Sequence, residues 1–206
     1  MRARDVRLTI RPAAMADVPA VHELAERSVT ALLVRHYTPS QVAAAGKAQF
    51  YRVETELISD GTYYVLEIDG QIAACSGWSD HGTFYPPGTS SSNDHQVNAD
   101  IATMRATYVD PRWARRGLAT LLARVTETAA TIAGFQRFEA LCSPLSEAMR
   151  LRLGYRLVER MTVPLLGDVT VTGALMRKVA AGAPADGAAE EPITDRLASS
   201  CERQAR

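Results

Sequence analysis

Lysine is nearly absent from this chain: Lys47 and Lys178 are the only two, and the rest of its 23 basic residues are arginines. With 23 acidic residues against them, the formal net charge is zero. A neutral chain has no basic surplus to hold nucleic acid or an acidic membrane, so neither is expected as a partner. Cysteine is scarce as well. Cys75, Cys142 and Cys201 form an odd, scattered set, which excludes a disulfide framework. The histidines, His22, His36, His81 and His95, do not pair at ligand spacing, and no CxxC or HxxxH occurs, so no metal is expected. No apolar run approaches the ~18 residues of a membrane helix. The opening MRARDVRLTIRP has no apolar stretch of the secretory kind. These absences lead to an expectation of a cytoplasmic protein.

What is present is a chain of 206 residues, 47% hydrophobic, enough for one domain with a core. RLTIR (7–11) alternates as a strand and is stopped by Pro12. Asp17 stands as an N-cap and Pro19 in a first turn, which predicts a helix over about 18–33. Thr38, Pro39 and Gln41 form a capping box that starts a second helix, ending near Gly46, and a further helical stretch is expected over roughly 48–59. TYYVLEI (62–68) and QIAACSGWS (71–79) read as a hairpin on Asp69-Gly70. Residues 80–100 are polar and without period, a long loop that is either functional or disordered.

IATMRATYV (101–109) is a strand closed by Asp110-Pro111. Residues 116–133 form an amphipathic helix with Leu118, Leu121, Leu122, Val125, Ala129 and Ile132 on one face. RFEALC (137–142) is a buried strand, a short helix covers about 145–152 and ends at Gly154, and a hairpin around Gly167-Asp168 closes the domain. The segment from residue 181 to 206 is small, polar and Pro/Gly-bearing, and is expected to be a disordered tail. The order predicts one α/β domain over 1–180, with a mixed, mostly antiparallel sheet of about six or seven strands and helices on both faces.

The informative segment is YVDPRWARRGLATLL (108–122). A strand ends, a short basic loop follows, and a helix opens at Gly117. Helix N-termini expose unpaired N–H groups and partial positive charge, and a glycine admits a phosphate close to the backbone. Arg115 and Arg116 add charge. The segment reads either as a phosphate cradle or as a surface turn whose arginines solvate a helix end. It is neither a GK[ST] loop nor a GxGxxG fingerprint.

ARRGLA directly after YVDP resembles motif A of the GNAT (GCN5-related) N-acetyltransferases, R/Q-x-x-G-x-G/A, with Ala114 in the first place and Gly117 and Ala119 matching. The resemblance extends over 8–178 and is similar to that of bacterial members acting on small molecules. It implies a sheet splayed between its fourth and fifth strands, acetyl-CoA as cosubstrate, a primary amine of a small molecule or amino acid as acceptor, and a homodimer. It implies that the pyrophosphate lies on the amides of Arg115, Arg116, Gly117, Leu118, Ala119 and Thr120. The pantetheine would pair with Thr107, Tyr108 and Val109, and an N–H near Val109 would polarise the thioester.

The resemblance breaks at MRLRLGY, where Arg150 stands in place of the tyrosine that protonates the departing thiolate. A guanidinium cannot be that acid. Arg150 is expected to face solvent or a CoA phosphate, the alternative being electrostatic support of a thiolate. Asp80 and His81 are the candidate proton acceptors. Tyr37, Trp78, Met104 and Arg105 are the candidate acceptor pocket, with Trp78 and Met104 equally readable as core, and Arg105 suited to a carboxylate. Glu139 is read as the partner of an arginine, and Cys142 as a buried thiol rather than an acyl carrier. Two further readings stay open: a CoA-binding regulatory module, and an acetyltransferase of protein N-termini or lysines.

Overall fold

The structure, a computed structural model, describes residues 6–80 and 100–182. His81, almost all of the 80–100 loop and nearly the whole 181–206 tail, with the roles expected of them, lie outside the described residues.

Seven strands form one sheet: β1 (Leu8–Pro12), β2 (Tyr63–Ile68), β3 (Gln71–Ser79), β4 (Ile101–Val109), β5 (Arg137–Cys142), β6 (Arg156–Pro164) and β7 (Thr170–Val179). Their spatial order is β1-β2-β3-β4-β5-β7-β6. Every pair is antiparallel except β4 with β5. The helices are α1 (Val18–Leu32), α2 (Pro39–Lys47), α3 (Thr55–Ser59), α4 (Leu118–Ile132) and α5 (Pro144–Arg152).

Strand alternation assigns the layers. On β2, Tyr63 and Val65 pack with Val21 and Leu24 of α1 and Leu57 of α3. Leu66 and Ile68 turn to the other face and meet Leu118 and Leu122 of α4. Helices therefore cover both faces, as the element order predicts. The expected helix over 48–59 is only its last part, α3. Gln49 takes a left-handed φ of 50°, which ends the helical path after α2.

Two expectations change in detail. Asp17 does not cap α1; its carboxylate accepts the Ala14 N–H at 2.7 Å and pairs with the Arg11 guanidinium at 2.7 Å. The buried face of α4 is also rotated from the expected one. Leu118 and Leu122 are buried, but Leu121 is exposed and Ile132 is 83% exposed, while Thr126 and Glu127 point inward. The inward acid has partners, described below, so its burial is compensated.

The middle of the sheet is shaped by a bulge. Cys75 pairs with Tyr108 and Gly77 with Arg105, so Ser76 faces two residues, Ala106 and Thr107. Ala106 has φ 45°, and the Tyr63 hydroxyl donates to its carbonyl at 2.7 Å. Gly77 makes room for that tyrosine: a Cβ there would stand 2.4 Å from a ring carbon of Tyr63. Beyond this point β4 leaves β5. Their parallel pairing covers only Ile101–Thr103 against Arg137–Glu139.

Candidate active site

At the end of β4, the Asp110 side chain is buried and accepts from the Arg112 backbone N–H at 2.9 Å, from Arg112 Nε and Nη2 at 3.0 Å, and from Arg27 Nη2 at 3.4 Å. The Arg112 guanidinium holds this carboxyl below the ordinary range. The carboxylate fixes the turn Pro111–Trp113, and the chain then passes through two left-handed residues, Arg115 at φ 65° and Gly117 at φ 86°. A Cβ on Gly117 would meet nothing within 4 Å, so the space before α4 is open.

Among the described residues, the N–H groups of Arg115 through Thr120 find no acceptor; the first helical bond is Leu121 N–H to the Gly117 carbonyl at 2.9 Å. This is a fan of donors at the positive end of a 15-residue helix. Arg115 and Arg116 are exposed, and Arg116 stacks on Trp113 at 4.8 Å. Leu118 turns its side chain into the core, so it brings only its amide. All six residues named from the sequence for the phosphates thus stand together.

Ala119 joins this fan to a cleft of about 700 Å³ that opens where β4 and β5 part. Thr107, Tyr108 and Val109 line it. The Val109 N–H faces away from β3 and donates to Ser28 Oγ of α1 at 3.3 Å. Burial pushes the Tyr108 hydroxyl pKa up, so it stays protonated. The far end of the cleft is roofed by the segment around α2. Thr38 Oγ1 accepts from Gln41 N–H and caps that helix. Tyr37 donates its hydroxyl to the Thr172 carbonyl of β7 at 3.1 Å, and Gln41 Nε2 donates to the Thr170 carbonyl at 2.7 Å.

Of the four acceptor candidates, the structure brings Tyr37, Met104 and Arg105 to the cleft, and not Trp78. Trp78 is core: it is 7% exposed and packs edge-on against Phe135, with ring centroids 5.5 Å apart. Strand β3 is buried on both faces from Ala73 onward, so alternation carries no information on which way Trp78 points. Arg105 carries an ion pair to Glu54 at 2.5 Å, and Glu54 lines the cleft too. Asp80 is exposed and does not line the cleft. Glu139 pairs with Arg177 at 2.6 Å, the structural role read for it. Cys142 is buried, and burial raises its thiol pKa, which suits an inert thiol.

Arg150 departs furthest from expectation. It is 3% exposed rather than solvent-facing. Its Nη1 donates to the Tyr155 hydroxyl at 3.2 Å and lies 3.7 Å from Glu127 Oε1. Lys178 Nζ holds the other oxygen, Glu127 Oε2, at 2.5 Å. Arg150 also lines the cleft. Sequence reasoning missed Glu54, Ser28 and this cluster. The one available signal was Glu127 itself, an acid beside the apolar stripe of α4.

The acetyltransferase (GNAT) family profile matches residues 28–155. The chain belongs to the GNAT acetyltransferase family. Among curated proteins, none matches the sequence. Solved structures share the fold. A GCN5-related N-acetyltransferase from Rhodopseudomonas palustris is 19% identical, with TM-score 0.62, over 83% of this chain and 94% of that one. YncA of Salmonella typhimurium, solved with acetyl-CoA, is 18% identical, with TM-score 0.58, over 88% and 99%. A phosphinothricin acetyltransferase from Sinorhizobium meliloti, also with acetyl-CoA, is 18% identical, with TM-score 0.58, over 89% and 96%. Among the described residues, no helix is long and apolar enough to cross a membrane.

Proposed function

We propose that this protein transfers an acetyl group from acetyl-CoA to a primary amine of a small molecule or amino acid by direct attack. The observation that carries the reading is the run of unpaired N–H groups from Arg115 to Thr120 at the mouth of the cleft. Such a fan fits a pyrophosphate, which presents several oxygens and negative charge. Two of the similar structures hold acetyl-CoA. The pantetheine would run along the open side of β4, where Val109 N–H has only a side-chain hydroxyl as partner and can turn to the thioester oxygen.

A roofed acceptor end favours a small amine over a protein chain. Hydrogen bonds from Tyr37 and Gln41 to β7 cross that end of the cleft, which supports a small acceptor. Glu54 would draw an ammonium into that pocket, with Arg105 holding the carboxylate in place. The amine must lose a proton before it attacks. Glu54, which lines the cleft, could take that proton through water; Asp80 and His81 stay as the other proposed proton acceptors.

Ala119→Glu tests the donor site. A carboxylate in the first turn suits the helix dipole, so the fold should hold or gain slightly in thermal unfolding. The same charge repels a diphosphate, and calorimetry should show coenzyme A binding weakened by about 100-fold or more, equivalent to ~2.7 kcal/mol. Wild-type affinity in this variant would remove the phosphates from the helix end.

A further inference from the structure

Three charged groups meet behind the cleft, and they do not balance. Glu127 of α4 is a single carboxylate, while Arg150 of α5 and Lys178 of β7 are two cations. Lys178 already holds Glu127 at hydrogen-bond distance, 2.5 Å. Arg150 stands at 3.7 Å from the other oxygen, too far for a hydrogen bond, and that oxygen, Glu127 Oε1, is buried without a hydrogen-bond partner among the described residues. Among the described residues, the other groups facing Arg150 supply no negative charge. Burial keeps the Tyr155 hydroxyl and the Cys142 thiol protonated by raising both pKa values. Glu147, on the same helix, is taken by Arg160 at 2.6 and 2.7 Å.

Arg150 is therefore a guanidinium with its side chain 4% exposed, one hydrogen bond among the described residues, to Tyr155, over whose ring it also lies at 5.0 Å, and a place on the cleft wall. A buried surplus cation is costly unless an anion joins it. The acetyl transfer proposed above creates one anion within the cleft, the sulfur of coenzyme A.

We infer that Arg150 holds the coenzyme A thiolate as it leaves, so that charge replaces proton donation at the departing sulfur. This rests on the donor reading above. The amine nitrogen attacks the thioester carbon and the C–N bond forms. The C–S bond breaks with its electron pair on sulfur, which remains as thiolate beside the guanidinium. The nitrogen's surplus proton passes to water, and the thiolate takes a proton from water after release. The products are an amide and coenzyme A as thiol.

The test reads the thiol of bound coenzyme A directly. Its thiolate absorbance is titrated in the complex, with the complex of desulfo-coenzyme A subtracted so that the protein's own cysteines cancel. Wild type should lower the bound thiol pKa by about 1–3 units, the effect of a nearby opposite charge. Arg150→Met should abolish the shift, and Arg150→Lys should keep most of it. The methionine variant leaves Glu127 and Lys178 as a balanced pair, so it should fold, and calorimetry on each variant confirms that coenzyme A is bound. An equal thiol pKa in wild type and R150M, with coenzyme A bound to both, overturns the inference and leaves the donor reading standing. An unmoved thiol with a raised KM for carboxylate-bearing acceptors in R150M also overturns it, assigning the charge to the acceptor. Failure of wild type to bind coenzyme A overturns both readings.

Discussion

The two ends of the cleft are built on different principles. The end proposed for the phosphates is made of backbone: consecutive amides from Arg115 to Thr120, aimed by two left-handed residues and one buried carboxylate. The inner end is made of side chains from separate elements, with Arg150, Glu127 and Lys178 meeting from α5, α4 and β7. A site of local backbone depends on its turn more than on which side chains it carries, provided none of them adds negative charge or bulk toward the ligand. The fate of a site of distant side chains depends on which member is removed, because each leaves different charges behind.

Glu127→Gln should break the inner end hardest. It strands the buried Arg150 and takes the partner from the half-buried Lys178, and removing one partner of a buried pair costs about 3–5 kcal/mol. Thermal unfolding should show that loss, while the coenzyme A affinity of the folded protein stays near wild type; a matching loss of affinity would mean the two ends are not independent.

Asp110→Asn attacks the one side chain on which the phosphate end depends. Losing a buried, charge-assisted acceptor costs about 1–3 kcal/mol, and coenzyme A should bind several-fold more weakly in calorimetry. The pH dependence has a definite sign. The Asp110 carboxyl is lowered in the fold by Arg112, so the native state binds fewer protons than the unfolded chain. Its contribution is complete above the unfolded value of about 3.9 and fades as pH falls through the lowered folded value. Acid titrations of stability should lose that component in the asparagine variant.

Tyr37→Phe is the mildest change. It removes one hydroxyl bridge from the roof, worth about 0.5–1 kcal/mol. The KM for the acceptor should rise while coenzyme A affinity stays fixed, and a change in coenzyme A affinity instead would place the roof over the donor.

The same contrast governs what could be read from the sequence. Strands β3, β4 and β5 have the bounds that their apolar runs and turn residues indicate, because those signals act between neighbours in the chain. The Arg115–Thr120 fan was legible for the same reason: strand end, glycine and helix start are contiguous. Arg150 was expected to face solvent or a CoA phosphate because arginines are mostly exposed; Glu127 and Lys178 come together with it only through the packing of α4 and β7. Trp78 was equally readable as pocket or core because it ends a strand, and burial on both faces of β3 decides for core. Glu54 lies in a connecting turn before α3, where no pattern marks it as the partner of Arg105.

An open sheet ordinarily exposes hydrogen-bonding groups along its two outer strands, where neighbouring chains can add to it. The parting of β4 and β5 gives this sheet a third margin, hidden inside the molecule with α1 against it. A narrow, amide-bearing ligand can lie along that margin, whereas a strand of another protein would have to displace the helix. The fold thus offers ladder positions to a guest while denying them to its neighbours.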